Sequence, residues 1–169
     1  MNTNLLEKAK KIRYLLLDVD GILTNGTVFL SERGEETLGF SIYDGMGIDL
    51  FKKAGFQVGF VSGRASMAVA KRASALGVTD CHLGISDKSK VYTEILIKHE
   101  LKDEAVAYMG DDLIDLPVLR RVGFSVSVPN AVDAVKREVD WVTERKGGEG
   151  AVRELIDAIL SALGKSPTL

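Results

Sequence analysis

An apolar run that stops at two carboxylates, Tyr14-Leu15-Leu16-Leu17-Asp18-Val19-Asp20-Gly21, constrains this chain more than any other stretch. It reads as a buried strand over residues 14–19, whose alternation places Asp18 and Asp20 on one face and Val19 on the other. Gly21 lets the backbone turn sharply where the acids emerge. The stretch therefore delivers paired acids to a sheet edge, with Asp18 read as a nucleophile and Asp20 as its acid/base partner. A strand running into an acidic surface turn has the same local sequence, so the rest of the chain has to decide.

Downstream, β-prone runs alternate with helical segments. After a short entry helix at residues 4–11, strands are predicted at 57–61, 78–83, 105–109 and 124–128. Helices are predicted at 48–54, 65–76, 89–99, 113–122, 131–137 and 151–163, with Gly55 and Gly77 closing two of them. Pro117 should kink the 113–122 helix or delay its start. Strands alternating with helices give a doubly wound parallel α/β sheet. One hairpin, residues 27–40, interrupts the pattern as an insertion around the polar turn 31–35. Phe29 and Phe40 have no core of their own there, and an isolated two-stranded hairpin is marginal, so it is expected to pack on a partner subunit. Trp141-Val142-Thr143 is a short apolar piece, residues 144–150 are glycine-rich, and residues 164–169 read as a disordered tail.

Such a sheet places its site beyond the carboxyl ends of the strands. Three polar clusters fall there: Asp18 with Asp20, Ser62-Gly63-Arg64, and Asp111 with Asp112. That coincidence argues against the surface turn. With Asp115, five carboxylates are projected toward one sheet edge, where they would raise one another's pKa values. A hard divalent cation relieves this, and Mg²⁺ takes a few carboxylates plus phosphate and water. No His/Cys cluster suggests zinc; His82 and His99 lie apart and read as structural or surface groups. Opposite the acids stand Ser62, the backbone of Gly63, Arg64 and Lys88, all suited to holding phosphate. This is equipment for in-line phosphoryl transfer to a carboxylate.

The totals fit a single domain over residues 1–169 with a full core. A net charge of −2 with interspersed signs argues against nucleic-acid binding through overall charge. The lone Cys81 excludes an intramolecular disulfide and reads as a buried strand thiol. No apolar run approaches the ~20 residues of a membrane span, and residues 1–13 lack the apolar core of a signal peptide. The expectation is a cytoplasmic protein with neither membrane nor nucleic-acid partners.

Together, Asp18-Val19-Asp20-Gly21-Ile22-Leu23-Thr24, Val61-Ser62-Gly63-Arg64, Lys88 and Gly110-Asp111-Asp112-Leu113-Ile114-Asp115 resemble the four motifs of haloacid dehalogenase (HAD) superfamily phosphatases, in order and over nearly the whole chain. The resemblance implies a HAD/Rossmann-like sheet of strand order 3-2-1-4-5. It implies that Asp18 attacks phosphorus while Asp20 protonates the leaving alcohol and then activates water. It also implies Mg²⁺ held by Asp18, the Asp20 carbonyl and Asp111. Asp112 and Asp115 would orient the metal's water and Lys88, and Ser62 and Lys88 would hold phosphoryl oxygens.

Only a short insertion follows the first strand and no room for a cap exists between Arg64 and Asp87. This arrangement, with Asp44-Gly45-Met46-Gly47-Ile48 and Gly147-Gly148-Glu149-Gly150-Ala151-Val152-Arg153-Glu154, resembles the capless tetrameric 3-deoxy-D-manno-octulosonate 8-phosphate (KDO 8-phosphate) phosphatases. That subfamily implies a phosphorylated sugar acid substrate in lipopolysaccharide precursor synthesis. It further implies a homotetramer built on the hairpin, with a neighbour's C-terminal segment (about 144–169) closing the site. Arg64, Asp44, Arg145 and Lys146 become substrate-contact candidates. A nine-carbon sugar acid 9-phosphate is the alternative substrate. A signalling receiver domain fits poorly, because the adjacent acids follow the fourth strand and the third ends in Leu83-Gly84. A capped phosphomutase lacks its cap here, and the complete acid set argues against a catalytically inert scaffold.

Overall fold

The structure, a computed structural model, describes residues 3–165. In chain order its elements are α1 (Thr3–Lys11), β1 (Tyr14–Leu17), β2 (Phe29–Leu30), β3 (Glu36–Thr37), α2 (Ile42–Lys53), β4 (Gln57–Val61), α3 (Met67–Ala75) and β5 (Asp80–His82). There follow α4 (Lys88–Lys98), β6 (Val106–Met109), α5 (Leu116–Leu119), β7 (Phe124–Ser127), α6 (Asp133–Lys136), β8 (Trp141–Val142) and α7 (Ala151–Ala162).

Six strands form one parallel sheet in the order β5-β4-β1-β6-β7-β8. Without β8, this is the expected 3-2-1-4-5 order. The sixth strand was not expected, because Trp141–Val142 is too short to show a period; it pairs with Val126 and Ser127 of β7. β1 lies inside the sheet, which explains why all of Tyr14–Leu17 is apolar: both faces are covered. Leu15 and Leu17 point into a core closed by α1, α2, α3 and α7, while Tyr14 and Leu16 face the opposite core under α4, α5 and α6.

Three elements differ in extent from expectation, and a fourth shows the late start expected from Pro117. β1 stops at Leu17 rather than Val19, because the Val19 carbonyl accepts from Ile22, Leu23 and Thr24 and winds residues 19–24 into a turn. α2 starts at Ile42 rather than residue 48, capped by Ser41, whose hydroxyl accepts from the Asp44 amide. The two glycines that read as a lead-in lie inside that helix. A Cβ on Gly47 would sit 3.2 Å from Arg153 Cα, so its absence lets α2 pack closely on α7. The 113–122 helix is delayed to Leu116, with Pro117 in its first turn behind a 3₁₀ turn at Leu113–Asp115. Finally, β5 covers only Asp80–His82, and Cys81 on it is half-buried rather than buried.

The hairpin forms as β2 against β3. Phe29 and Leu30 are 62% and 69% exposed, whereas Leu38 and Phe40 pack against the main core. Phe40 is therefore not coreless as expected; Arg72 lies over its ring at 5.8 Å. The expected tail disorder at 164–169 falls largely on residues 166–169, outside the described residues.

Candidate active site

β1 and β6 are neighbours in register, with Leu17 opposite Met109, so Asp18 and Asp111 leave the sheet side by side where the strand order reverses. The Asp18 amide donates to the Met109 carbonyl at 3.0 Å, which fixes the first acid to the second loop. Gly21 makes the approach possible: it has φ +82°, and a Cβ there would lie 1.9 Å from Asp111 Oδ2. Asp18, Asp111 and Asp115 each bring one carboxylate oxygen within 4.8 Å of the others.

Lys88 opens α4, whose start is held by Asp87 accepting from the Ser89 and Lys90 amides. Its ammonium donates to Asp18 Oδ1 at 2.7 Å and Asp115 Oδ1 at 2.6 Å, and it is 3% exposed. Asp115 is fully engaged. Oδ1 also accepts the Tyr108 hydroxyl at 2.5 Å, while Oδ2 accepts the Asp111 and Asp112 amides at 2.9 and 3.1 Å. With its four acceptor positions filled, Asp115 organises the site, and Asp18 and Asp111 keep oxygen capacity for a cation. Asp112 is exposed and caps the 3₁₀ turn through the Leu113 amide at 2.7 Å.

The electrostatics are those of an acid pocket short of positive charge. Burial first, then the Asp115 charge, push the Asp18 carboxyl well above its ordinary range, and Lys88 reverses this only in part. Asp111 is pushed up to about 6, again by burial and then by Asp115. For Lys88, burial opposes the charge, but Asp18 and Asp115 outweigh it and hold the ammonium above its usual range. A hard, oxygen-seeking divalent cation suits this donor set, which contains carboxylates and no imidazole or thiolate.

Asp20 stands on the turn after β1 and faces β4's loop. Arg64 grips it with Nε at 3.0 Å and Nη2 at 2.9 Å, and the Ser62 hydroxyl donates to it at 3.4 Å. Gly63 is exposed between them. Asp18, Asp20, Gly63, Arg64, Lys88 and Asp111 share an opening of about 440 Å³.

Asp44 is not in this site. It is 1% exposed and accepts from the Gly150 amide at 3.3 Å and the Arg153 amide at 2.8 Å, so it caps α7. The glycine-rich segment is likewise used within its own chain. The Gly148 amide donates to the Ile22 carbonyl at 2.8 Å and the Gly147 amide to Asn130 Oδ1 at 2.8 Å. Arg145 and Lys146 are exposed, and the Arg145 amide is bound to Glu154 at 2.9 Å.

Sequence reasoning missed three residues. Tyr108 is hidden in an apolar strand, where alternation with Ala107 and Met109 was its only signal. Asn130, whose side chain donates to the Gly21 carbonyl at 3.0 Å, lies past the end of β7 and obeys the same strand-end rule as the acids. Glu36 on β3 accepts from Arg64 Nη1 at 2.8 Å and had no signal at all.

A parallel sheet with this acid and lysine set at its switch point defines a hydrolase of the haloacid dehalogenase-like kind, and residues 82–155 match the family model of haloacid dehalogenase-like hydrolases. The chain is 40% identical over 165 residues to the 3-deoxy-D-manno-octulosonate 8-phosphate phosphatase KdsC of Escherichia coli K12, covering 98% of this chain and 88% of that one. It superposes with a TM-score of 0.96 on the corresponding phosphatase structure from Yersinia pestis (39% identity, 98% and 89% covered). The Moraxella catarrhalis phosphatase, solved with magnesium, phosphate and KDO, gives a TM-score of 0.94 (36% identity, 96% and 94% covered). The chain belongs to the family of 3-deoxy-D-manno-octulosonate 8-phosphate phosphatases.

Proposed function

We propose that this chain hydrolyses 3-deoxy-D-manno-octulosonate 8-phosphate to the free sugar acid and phosphate in a Mg²⁺-dependent reaction. The observation that carries the reading is the buried Asp18–Lys88–Asp115 array beside Asp111, at the switch point of a sheet that matches these phosphatases. The relatives' names specify the eight-carbon ester, so the nine-carbon alternative draws no support from them.

Asp18, Asp111 and the backbone of Asp20 would hold the cation, which supplies charge neutralisation for the phosphoryl group when bound. Asp18 is fixed by Lys88 and its own amide, so its free oxygen is positioned for in-line attack on phosphorus, forming an aspartyl-phosphate. Asp20 sits outside the Lys88 network and 30% exposed, where it can protonate the leaving C8 oxygen and then take a proton from attacking water. Lys88 and Ser62 would bind the phosphoryl oxygens, with Lys88 charge stabilising the transition state. Arg64, half-buried, is the cation that lines the opening beside Lys88 and would meet the substrate's anionic groups.

We also propose that the hairpin is an assembly surface and that the chain forms a homotetramer. Phe29, Ile42 and Tyr43 are all at least 62% exposed around a hollow of about 450 Å³, with Leu30, 69% exposed, next to Phe29 on β2, an apolar concentration typical of interfaces. Gly147 and Gly148 are held within their own chain, so closure of the site by a neighbour's C-terminal segment would use other residues of it, such as the exposed Arg145 and Lys146. Among the described residues no helix is long and apolar enough to cross a membrane. A charged phosphate ester does not cross a bilayer unaided, so we place the reaction in the cytoplasm. Phosphate release from a panel of phosphorylated sugar acids, with Mg²⁺ and with chelator, tests the function. Preference for the eight-carbon ester and loss on chelation are expected; equal rates with unrelated sugar phosphates would reject the substrate.

A further inference from the structure

We propose that Glu36 is a positioning residue: through it the inserted hairpin, rather than the sheet, sets the angle at which Arg64 meets an anionic substrate. The inference rests on the phosphatase reading above.

Arg64 follows β4 on a loop, and its backbone is tied there by its amide donating to Ser62 Oγ at 3.1 Å. Its side chain is long and loses substantial rotamer freedom when fixed. Three of its five N–H groups are committed, two to Asp20 and one, Nη1, to Glu36. These two carboxylates have different duties. Asp20 has to free at least one oxygen from Arg64 to reach the ester oxygen of the substrate. Glu36 has no part in the chemistry and can keep its grip throughout.

Glu36 is itself anchored. Its other oxygen accepts a short hydrogen bond from the Ser66 hydroxyl, and Ser66 caps α3 by accepting from the Val69 amide at 3.3 Å. Ser66 and Arg64 hold its carboxyl below the usual range, so it stays ionised at neutral pH. Glu36 also sits on the strand that leads into the packed residues Leu38 and Phe40, whereas the opposing strand carries the exposed Phe29 and Leu30. The same segment supplies Gly26 and Val28 to the wall of the opening that Arg64 lines. A chain of fixed contacts thus runs from the α3 cap through Glu36 to a guanidinium that, among the described residues, is otherwise held by Asp20, which is needed elsewhere.

The test compares steady-state hydrolysis of 3-deoxy-D-manno-octulosonate 8-phosphate and of p-nitrophenyl phosphate, both with Mg²⁺, by the full-length chain. A charge-assisted hydrogen bond of this kind corresponds to about a ten-fold effect or more. Glu36→Gln is expected to raise KM for the sugar acid ester by about ten-fold, with a smaller change in kcat, and to lower its kcat/KM relative to the small ester by the same factor. Glu36→Asp, which retains the carboxylate, should recover part of the ratio. Glu32→Gln, an exposed charge removal on the same hairpin, should leave the ratio at the wild-type value. In an Arg64→Ala background, Glu36→Gln should have no further effect on the ratio, because the two act as one unit. An unchanged ratio in Glu36→Gln, equal losses on both esters, or a full additional loss without Arg64 would each overturn the proposal alone. A wild-type chain inactive on the sugar acid ester but active on the small one would overturn the substrate reading, and this proposal with it.

Discussion

Asp115 and Lys88 show how few side chains hold the site together. Lys88 is enclosed by two carboxylates, so removing it leaves uncompensated buried charge. Lys88→Met should therefore cost about 3–5 kcal/mol of stability in urea unfolding, besides slowing turnover; a neutral effect on stability would contradict the burial. Asp18→Asn removes the attacking oxygen's charge and should lower kcat by at least roughly 10³-fold with the fold intact, measured as phosphate release beside circular dichroism. Asp111 gives a pH dependence. An unfolded Asp titrates near about 3.9, whereas burial and Asp115 push Asp111 up to about 6 in the folded chain. Between those values the folded, metal-free chain binds more protons than the unfolded one. Its contribution to stability is thus present at the acid end and is lost as pH rises through about 6. Asp111→Asn should accordingly raise the Tm of the metal-free chain at pH 8. Mg²⁺ at a hundred-fold excess over its Kd should raise the wild-type Tm by roughly 5–10 °C and leave the variant's Tm unmoved. Thermal scans with and without the cation decide this.

Among the elements, α2 is the one that sequence patterns misplaced most, and the reason lies in its partner α7. Gly45 and Gly47 carry the signature of a loop, yet they lie within α2 because α7 needs the space that a side chain at Gly47 would fill. No local pattern contains that information, since it belongs to the facing helix. The same contact engages Asp44 as the cap of α7. Asp44→Ala should cost about 1–2 kcal/mol as a lost helix cap, with kcat/KM unchanged; a selective rise in KM for the sugar acid would restore its substrate role. The acids after β1 and β6 were legible because strand ends and site coincide in this architecture, and Lys88 because it follows the third strand of a known motif order. Glu36 and Tyr108 were not, since one sits on a hairpin whose docking is tertiary and the other is one aromatic among apolar strand neighbours. Trp141–Val142 escaped notice as a strand because two residues have no period.

The whole molecule has its chemistry on one edge, and the hairpin beside it carries two of its exposed apolar side chains, Phe29 and Leu30. Replacing Phe29 and Leu30 by serine should convert a tetramer to smaller species in sedimentation velocity; an unchanged oligomer would remove the hairpin from the interface. Deleting the chain from Gly147 onward could not test closure of the site, because α7 fills the core with Val152, Leu155, Ile156 and Ile159. The bond from the Gly148 amide to the Ile22 carbonyl has a consequence for biosynthesis. It joins the turn carrying Asp20 to a segment translated only after β8. A contact of such sequence separation closes late, and a chain emerging from the ribosome folds from its N-terminus first. Asp18 and Asp20 are thus translated before β2 to β8, yet their loop acquires its final support only after all of those strands exist. A nascent chain truncated before this point carries the attacking residue without the backbone that holds its loop in place.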